Sequence, residues 1–327
     1  MEMIRSGFTL VELLISMFIG ALLLGGVITA YVSMKVTTRD TMAIGELQEV
    51  GRLTLTLLRR DLEQVGFWGT FYDKGLTTAN SVSPANPSND CFGGLNNGSF
   101  PNAVQTNFRS IYAEKTSGAA LSCISGAKNN TEVLQLKFLE GRQITDDNDV
   151  ESNRYYFIAQ QEQGTFVAGN SYGGRPTNNS TLWPYSHHAY YIEEQPIRIN
   201  SQTITTPILM RRRLTVGGGM TTEAVIEGVE DIRYLFGLDT NGDSRVDTYR
   251  STQDMTAGDW ERSGGILTVQ IIALVRVLEA DAGLELKSQT YTLGNDPDRR
   301  TLTFNDNYRR TVFSTTIQLY NMGISTW

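Results

Sequence analysis

Histidine and cysteine are the scarcest reactive side chains here, two of each in 327 residues. That is too few soft ligands for most zinc-cluster arrangements. Positive charge is also in the minority, with 28 Lys and Arg against 35 Asp and Glu and a formal net charge of −7. Coating nucleic acid requires a cationic face, so no direct nucleic-acid partner is expected. Arg211-Arg212-Arg213 is a small basic cluster and reads as a solvated strand or turn. Enzyme signatures are missing as well: there is no G-x-S-x-G, no phosphate loop and no H-E-x-x-H. The adjacent His187 and His188 point to opposite faces if they lie on a strand. The run Gly217-Gly218-Gly219 lacks the strand-to-helix setting of a dinucleotide site. No catalytic residue is assigned, and the chain is not expected to be an enzyme.

Long apolar runs are absent except for one. Residues 8–31 read FTLVELLISMFIGALLLGGVITAY and contain a single ionisable group, Glu12. As a helix this stretch is roughly 36 Å long, enough to cross a bilayer core. It predicts one membrane span followed by a large soluble part. Arg5 favours a cytoplasmic N-terminus, which places the rest beyond the membrane. The small residue Gly7 precedes the apolar run, whereas a secretory signal has its cleavage site after it. Cutting after Gly7 removes residues 1–7 and leaves the span attached. Glu12 has two readings. It sits at headgroup level near a positive helix N-terminus, or it pairs with the amine that such a cut creates on Phe8 of a neighbouring copy.

Proline is scarce, eight in all, and none falls in residues 8–66. Leu47, Val50, Leu53, Leu57, Leu58, Leu62 and Val65 recur at three- and four-residue spacing, which marks one helical face. Arg59, Arg60, Asp61 and Glu63 fall largely off that stripe. Gly66 is a plausible C-cap. One helix over residues 8–66 is therefore predicted, with a transmembrane part at 8–31 and an amphipathic part at 32–66.

From Phe67 the texture turns β-like, with a head spanning 67–327. Candidate strands are Val133–Leu139, Arg154–Ala159, Ala189–Glu193, Pro207–Val216, Asp231–Leu238, Leu267–Leu278, Gln289–Leu293 and Thr311–Tyr320. Ile232, Tyr234, Phe236 and Leu238 alternate and line one face. No long helical segment separates the strands, so an antiparallel sheet and an α+β class follow. Cys91 and Cys123 are expected to form a structural disulfide in an oxidising compartment. Their loop of about 32 residues is worth roughly 3–4 kcal/mol in the chain-entropy model. The segment Asp239-Thr240-Asn241-Gly242-Asp243-Ser244-Arg245-Val246-Asp247 places oxygen side chains at alternating positions. Asp239, Asn241, Asp243, the Arg245 carbonyl and Asp247 form a candidate Ca2+ set. Ser244 stands at the sixth position, where such loops carry Gly, and Arg250 stands where a bidentate Glu belongs. The competing reading is a hairpin turned at Asn241-Gly242.

The segment Gly7-Phe8-Thr9-Leu10-Val11-Glu12-Leu13 resembles the processing site of type IV pilins and pseudopilins. Leu58-Arg59-Arg60-Asp61-Leu62 with Val65-Gly66-Phe67-Trp68-Gly69 resembles the helix end of PilW-type minor pilins. Val229-Glu230-Asp231-Ile232 and Arg309-Arg310-Thr311-Val312-Phe313 look like the same group. The resemblance implies a pilin-like fold, a long helix packed on an antiparallel β head. It implies cleavage between Gly7 and Phe8 by a prepilin peptidase, N-methylation of Phe8, and a part for Glu12 in registering neighbouring subunits. It also implies a minor pilin that primes type IV pilus assembly and sits at or near the tip, supporting twitching motility, adhesion and DNA uptake. The implied partners are other minor pilins, the major pilin, the assembly platform and a large tip adhesin. The implied location is the inner membrane, with a periplasmic head, and then the cell surface. One departure is that major pilins often carry Pro in the apolar helix, and this chain has Gly20, Gly25 and Gly26 instead. The Asn/Gly-rich stretch 76–130 resembles nothing nameable. Two alternatives are a J-type pseudopilin of type II secretion and a membrane-anchored adhesive or DNA-binding protein.

Overall fold

The computed structural model describes residues 7, 9–72, 75–199, 201–262, 264–281, 288–295 and 298–322. Helix α1 runs Leu10–Leu62. With no proline to remove an N–H, its ladder is unbroken. The hydroxyls of Thr29, Thr37 and Thr41 donate to carbonyls four residues earlier, so they need no outside partner. The chain divides into two compact units, Met1–Gln48 and Glu49–Trp327. In the first unit Leu10, Phe18, Leu23, Tyr31 and Met34 are all strongly exposed, and the apolar window of the helix buries nothing against the chain itself.

The second unit is β-rich. In chain order its strands are β1 Ser81–Val82, β2 Ile111–Lys115, β3 Ala119–Ala120, β4 Ile124–Ser125, β5 Glu132–Leu139, β6 Tyr155–Ala159, β7 Gly164–Ala168 and β8 Thr181–Ile199. Next come β9 Gln202–Thr215, β10 Gly219–Glu227, β11 Val229–Leu238, β12 Thr248–Ser251, helix α2 Ala257–Glu261, β13 Ile266–Arg276, β14 Gln289–Leu293, β15 Arg300–Phe304 and β16 Arg310–Gln318. An eight-stranded sheet has the order β1-β7-β6-β8-β5-β2, with β9 added along the far half of β8 and β10 beside β9. Its pairings are antiparallel except β1–β7. A second, antiparallel sheet runs β12-β11-β13-β16. The expected α+β class is observed, and each predicted strand lies on an observed one; most ends are shifted by a few residues, but Ala189–Glu193 is only the middle of the 19-residue β8.

The main core lies between the sheets. Leu134, Leu136 and Phe138 of β5 meet Ile232, Tyr234, Phe236 and Leu238 of β11, and Leu58, Leu62 and Val65 pack there too. The opposite face of the eight-stranded sheet is buried as well. Val133 and Leu139 of β5 and Tyr191 of β8 lie under Leu76, Cys91, Phe100, Phe108 and Leu121. The unassigned stretch 76–130 is therefore a cover for the second face of the sheet. Its lack of regular period reflects loops that bury scattered side chains.

Two helix expectations need correction. The helix stops at Leu62, not at residue 66. Gln64 and Val65 donate to the carbonyls of Asp61 and Leu62 in tight turns, and Val65 then bridges to Phe138 of β5. The buried face is also rotated: Leu53 is 45% exposed, whereas Thr54 and Asp61 are buried. Gly51 explains part of the rotation. A Cβ there would lie 2.3 Å from the Phe313 ring of β16, so the helix approaches the sheet through a glycine.

Candidate assembly site, acidic loop and buried charge clusters

Gly7 is exposed, and Phe8 lies outside the described residues. Thr9 is the residue before the helix. Its backbone N–H and its hydroxyl both donate to Glu12 Oε2 at 2.9 Å, and the Glu12 N–H donates to Thr9 Oγ1 at 3.3 Å. This reciprocal pair is a capping box, which satisfies donors that helix geometry leaves open. Within one chain Glu12 thus closes the helix start. The Thr-x-x-Glu spacing was visible in the sequence, and Thr9 is a partner that neither reading of Glu12 named.

Cys91 and Cys123 are joined, 32 residues apart. The bond ties residue 91, within the covering stretch, to the residue just before β4.

The acidic loop spans the whole connection between β11 and β12, residues 239–247, rather than a two-residue turn at Asn241-Gly242. Buried Asp239 anchors it. Its Oδ1 accepts from the N–H groups of Asn241 (3.1 Å) and Gly242 (2.6 Å), and its Oδ2 accepts from Ser244 (2.7 Å). Burial pushes the Asp239 carboxyl up, but these donors outweigh it and hold it below the usual range. Asp243 Oδ1 accepts from the Arg245 N–H at 2.9 Å. Asp247 accepts from the Thr240 N–H and hydroxyl, and from Asn241 Nδ2 at 3.1 Å. Ser244 adopts a φ of 63°, the left-handed conformation that a calcium loop needs at its sixth position. The side-chain oxygens are turned onto the loop's own N–H groups. Among the described residues, no group of three or more His, Cys, Asp or Glu side chains is placed to hold a metal ion.

Comparison with known families separates the two ends of the chain. Residues 3–28 match the prokaryotic N-terminal methylation motif. Residues 189–321 match type IV pilus-assembly protein W, the PilW family. Together they support a PilW-type type IV pilin. No curated protein and no solved structure matches the chain. Both families describe structural pilus components. The apolar helix and the methylation motif fit membrane anchoring and pilus assembly.

The matched segment, together with Lys128 and Glu132 ahead of it, carries buried charge that links strands distant in sequence. Glu132 of β5 accepts from the Tyr234 N–H (2.9 Å), Thr252 Oγ1 (2.7 Å) and Arg300 (3.1 Å). Arg300 also donates to both oxygens of Asp231 at 2.9 Å. Burial nonetheless pushes the Asp231 carboxyl up to about 6. Glu230 is paired with Lys128, Arg276 and Arg310. These clusters are invisible in one dimension, because partners such as Glu132 and Arg300 are 168 residues apart.

Asp61 extends the pattern to the helix. Its Oδ2 accepts from Tyr190 Oη and contacts His188 Nδ1, both at 2.6 Å. His188 therefore faces the helix, while His187 faces the covering loop, where its Nδ1 meets Ser99 Oγ at 2.8 Å. The two rings point apart as adjacent strand residues do, and both are buried. Arg211 donates to Glu223 on the neighbouring β10, and the three glycines 217–219 lie at the β9–β10 turn.

Proposed function

We propose that this chain is a minor pilin that primes type IV pilus assembly and resides at or near the pilus tip. The observation that carries the reading is the methylation motif at the start of a 53-residue helix, in a chain whose later residues match PilW. A prepilin peptidase cuts between Gly7 and Phe8, and Phe8 is then N-methylated. The freed helix packs with the helices of other minor pilins and the major pilin in the inner membrane, against the assembly platform. The head stands in the periplasm and passes to the cell surface, carrying a large tip adhesin. The head is read as pilin-like because the last turns of α1 lie on antiparallel sheets. The PilW match supports the pilus over a J-type pseudopilin.

The deciding experiment is N-terminal mass spectrometry of the chain purified from cells with and without the peptidase. Wild-type cells should give a chain beginning at methylated Phe8, and peptidase-null cells the uncut form. An uncut chain in piliated wild-type cells would end the reading.

We further infer that the acidic loop takes Ca2+. Asp239, Asn241, Asp243 and Asp247 would turn side-chain oxygens inward, and Arg245 would offer its carbonyl. The left-handed Ser244 and the chain's concentration of acids support this. The ion would supply only cross-linking of the loop.

A further inference from the structure

Beneath the covering loop lies a polar cluster to which the proposed function gives no part. Lys137 of β5 is fully buried, on the face opposite Leu136 and Phe138. Its Nζ donates to Asn97 Oδ1 and to the Arg109 carbonyl, each at 2.8 Å, and lies 4.9 Å from the Phe108 ring centroid. Among the described residues, no ion pair with a carboxylate is made by this amine. Asn97 is fully buried too, and its Nδ2 has no hydrogen-bond partner. Gln135 closes the cluster, donating from Nε2 to the carbonyls of Cys91 (2.7 Å) and Asn97 (3.1 Å) and meeting His187 Nε2 at 2.8 Å. Ser99 links His187 to Asp90.

Two features of this arrangement are costly as they stand. An amine in a dry site disfavours its charged form, and burial drives Lys137 well below the usual amine range, opposed by the Asp90 charge. A buried amide nitrogen without an acceptor carries its full desolvation cost. A neutral amine held against a carboxamide, with water excluded, is also a positioned nucleophile.

We propose that Lys137 and Asn97 become joined by an intramolecular isopeptide bond. Neutral Nζ attacks Asn97 Cγ. The Nζ–Cγ bond forms, a proton passes from Nζ to Nδ2, the Cγ–Nδ2 bond breaks and ammonia leaves. No oxidant or other co-reactant is consumed. The product removes both costs together, since the orphaned nitrogen departs and the amine becomes an uncharged amide. The remaining N–H still faces the Arg109 carbonyl. The cross-link fastens residue 97, which lies inside the loop closed by the Cys91–Cys123 disulfide, to β5 beneath it.

The test is mass spectrometry of the full chain purified in detergent and reduced, with proteolytic mapping. The expected result is a deficit of one ammonia, carried by a branched peptide that contains residues 97 and 137. Asn97→Ala and Lys137→Met should each remove the branched peptide. Full mass in the folded wild-type chain would overturn the proposal. So would a deficit confined to a linear peptide, because Asn97-Gly98 can lose ammonia by forming a cyclic imide. Wild-type mapping decides the matter even if neither variant folds.

Discussion

Asp61 shows how much one carboxylate can carry. It stands on the last turn of α1, buried, and it accepts from Tyr190 while contacting His188 on β8. Burial alone would raise its carboxyl; the His188 and Tyr190 contacts and the Arg211 charge reverse the sign and leave it below the ordinary value. A folded-state value below the unfolded one means stabilisation that is present above about pH 4 and lost as pH falls through the folded value. Asp61→Asn should lower the unfolding free energy by about 1–3 kcal/mol at neutral pH. It should also flatten the acid limb below about pH 4, where the unfolded carboxyl takes up its proton. Denaturant titration of the detergent-purified chain across that range measures both effects. An acid limb as steep as wild type would remove Asp61 from this role. From the sequence Asp61 looked like one of four charged residues off the apolar stripe. Its burial depends on β8 arriving with Tyr190 and His188, and helical spacing carries no information about that.

At the scale of elements, local period was informative and packing was not. The alternation Ile232, Tyr234, Phe236 and Leu238 does mark one face of β11. The other face is buried as well, with Leu235 packed against Ile272, Leu274 and Leu293. A strand covered on both sides looks the same in sequence as one covered on one side when its second face includes charged residues, as Asp231 and Arg233 are here. The stretch 76–130 gave no periodic signal because most of it folds as loops, whose burial is set by the sheet beneath. The acidic loop was legible as a ligand pattern but not as a loop whose own N–H groups satisfy its carboxylates. Calcium should raise the melting temperature of the chelator-treated chain by a few degrees, the shift that about 1 kcal/mol gives a domain of this size. Asp239→Ala with Asp243→Ala should abolish the increment. Calorimetry showing an equal increment in the double variant would refute ligation by this loop.

For the molecule as a whole, two parts of unlike character share one helix. The first unit leaves most of its apolar surface exposed, and the second gathers its apolar side chains into buried cores. Hydropathy marked the apolar stretch 8–31 but not the division between the units, which falls after Gln48 within the helix, and the short motif around Gly7 was enough to suggest processing. Glu12 can serve two chemistries, and substitution separates them. The capping box needs a carbonyl oxygen at this position, whereas pairing with a neighbour's amine needs a charge. Glu12→Gln keeps the first and loses the second; Glu12→Leu loses both. If subunit registry depends on charge, both variants should abolish piliation in a strain lacking the wild-type copy. Full piliation by Glu12→Gln, scored by electron microscopy, would assign the residue to helix capping alone.

Gly51 fixes one further property. The helix surface meets Phe313 where only a hydrogen fits, while Leu58 and Leu62, about two and three turns beyond, are sealed in the core. Rolling these last turns about their own axis would swing a side chain into the place the glycine vacates. The tail of the rod is thereby keyed to a single azimuth on its sheet, like a shaft seated in a notch.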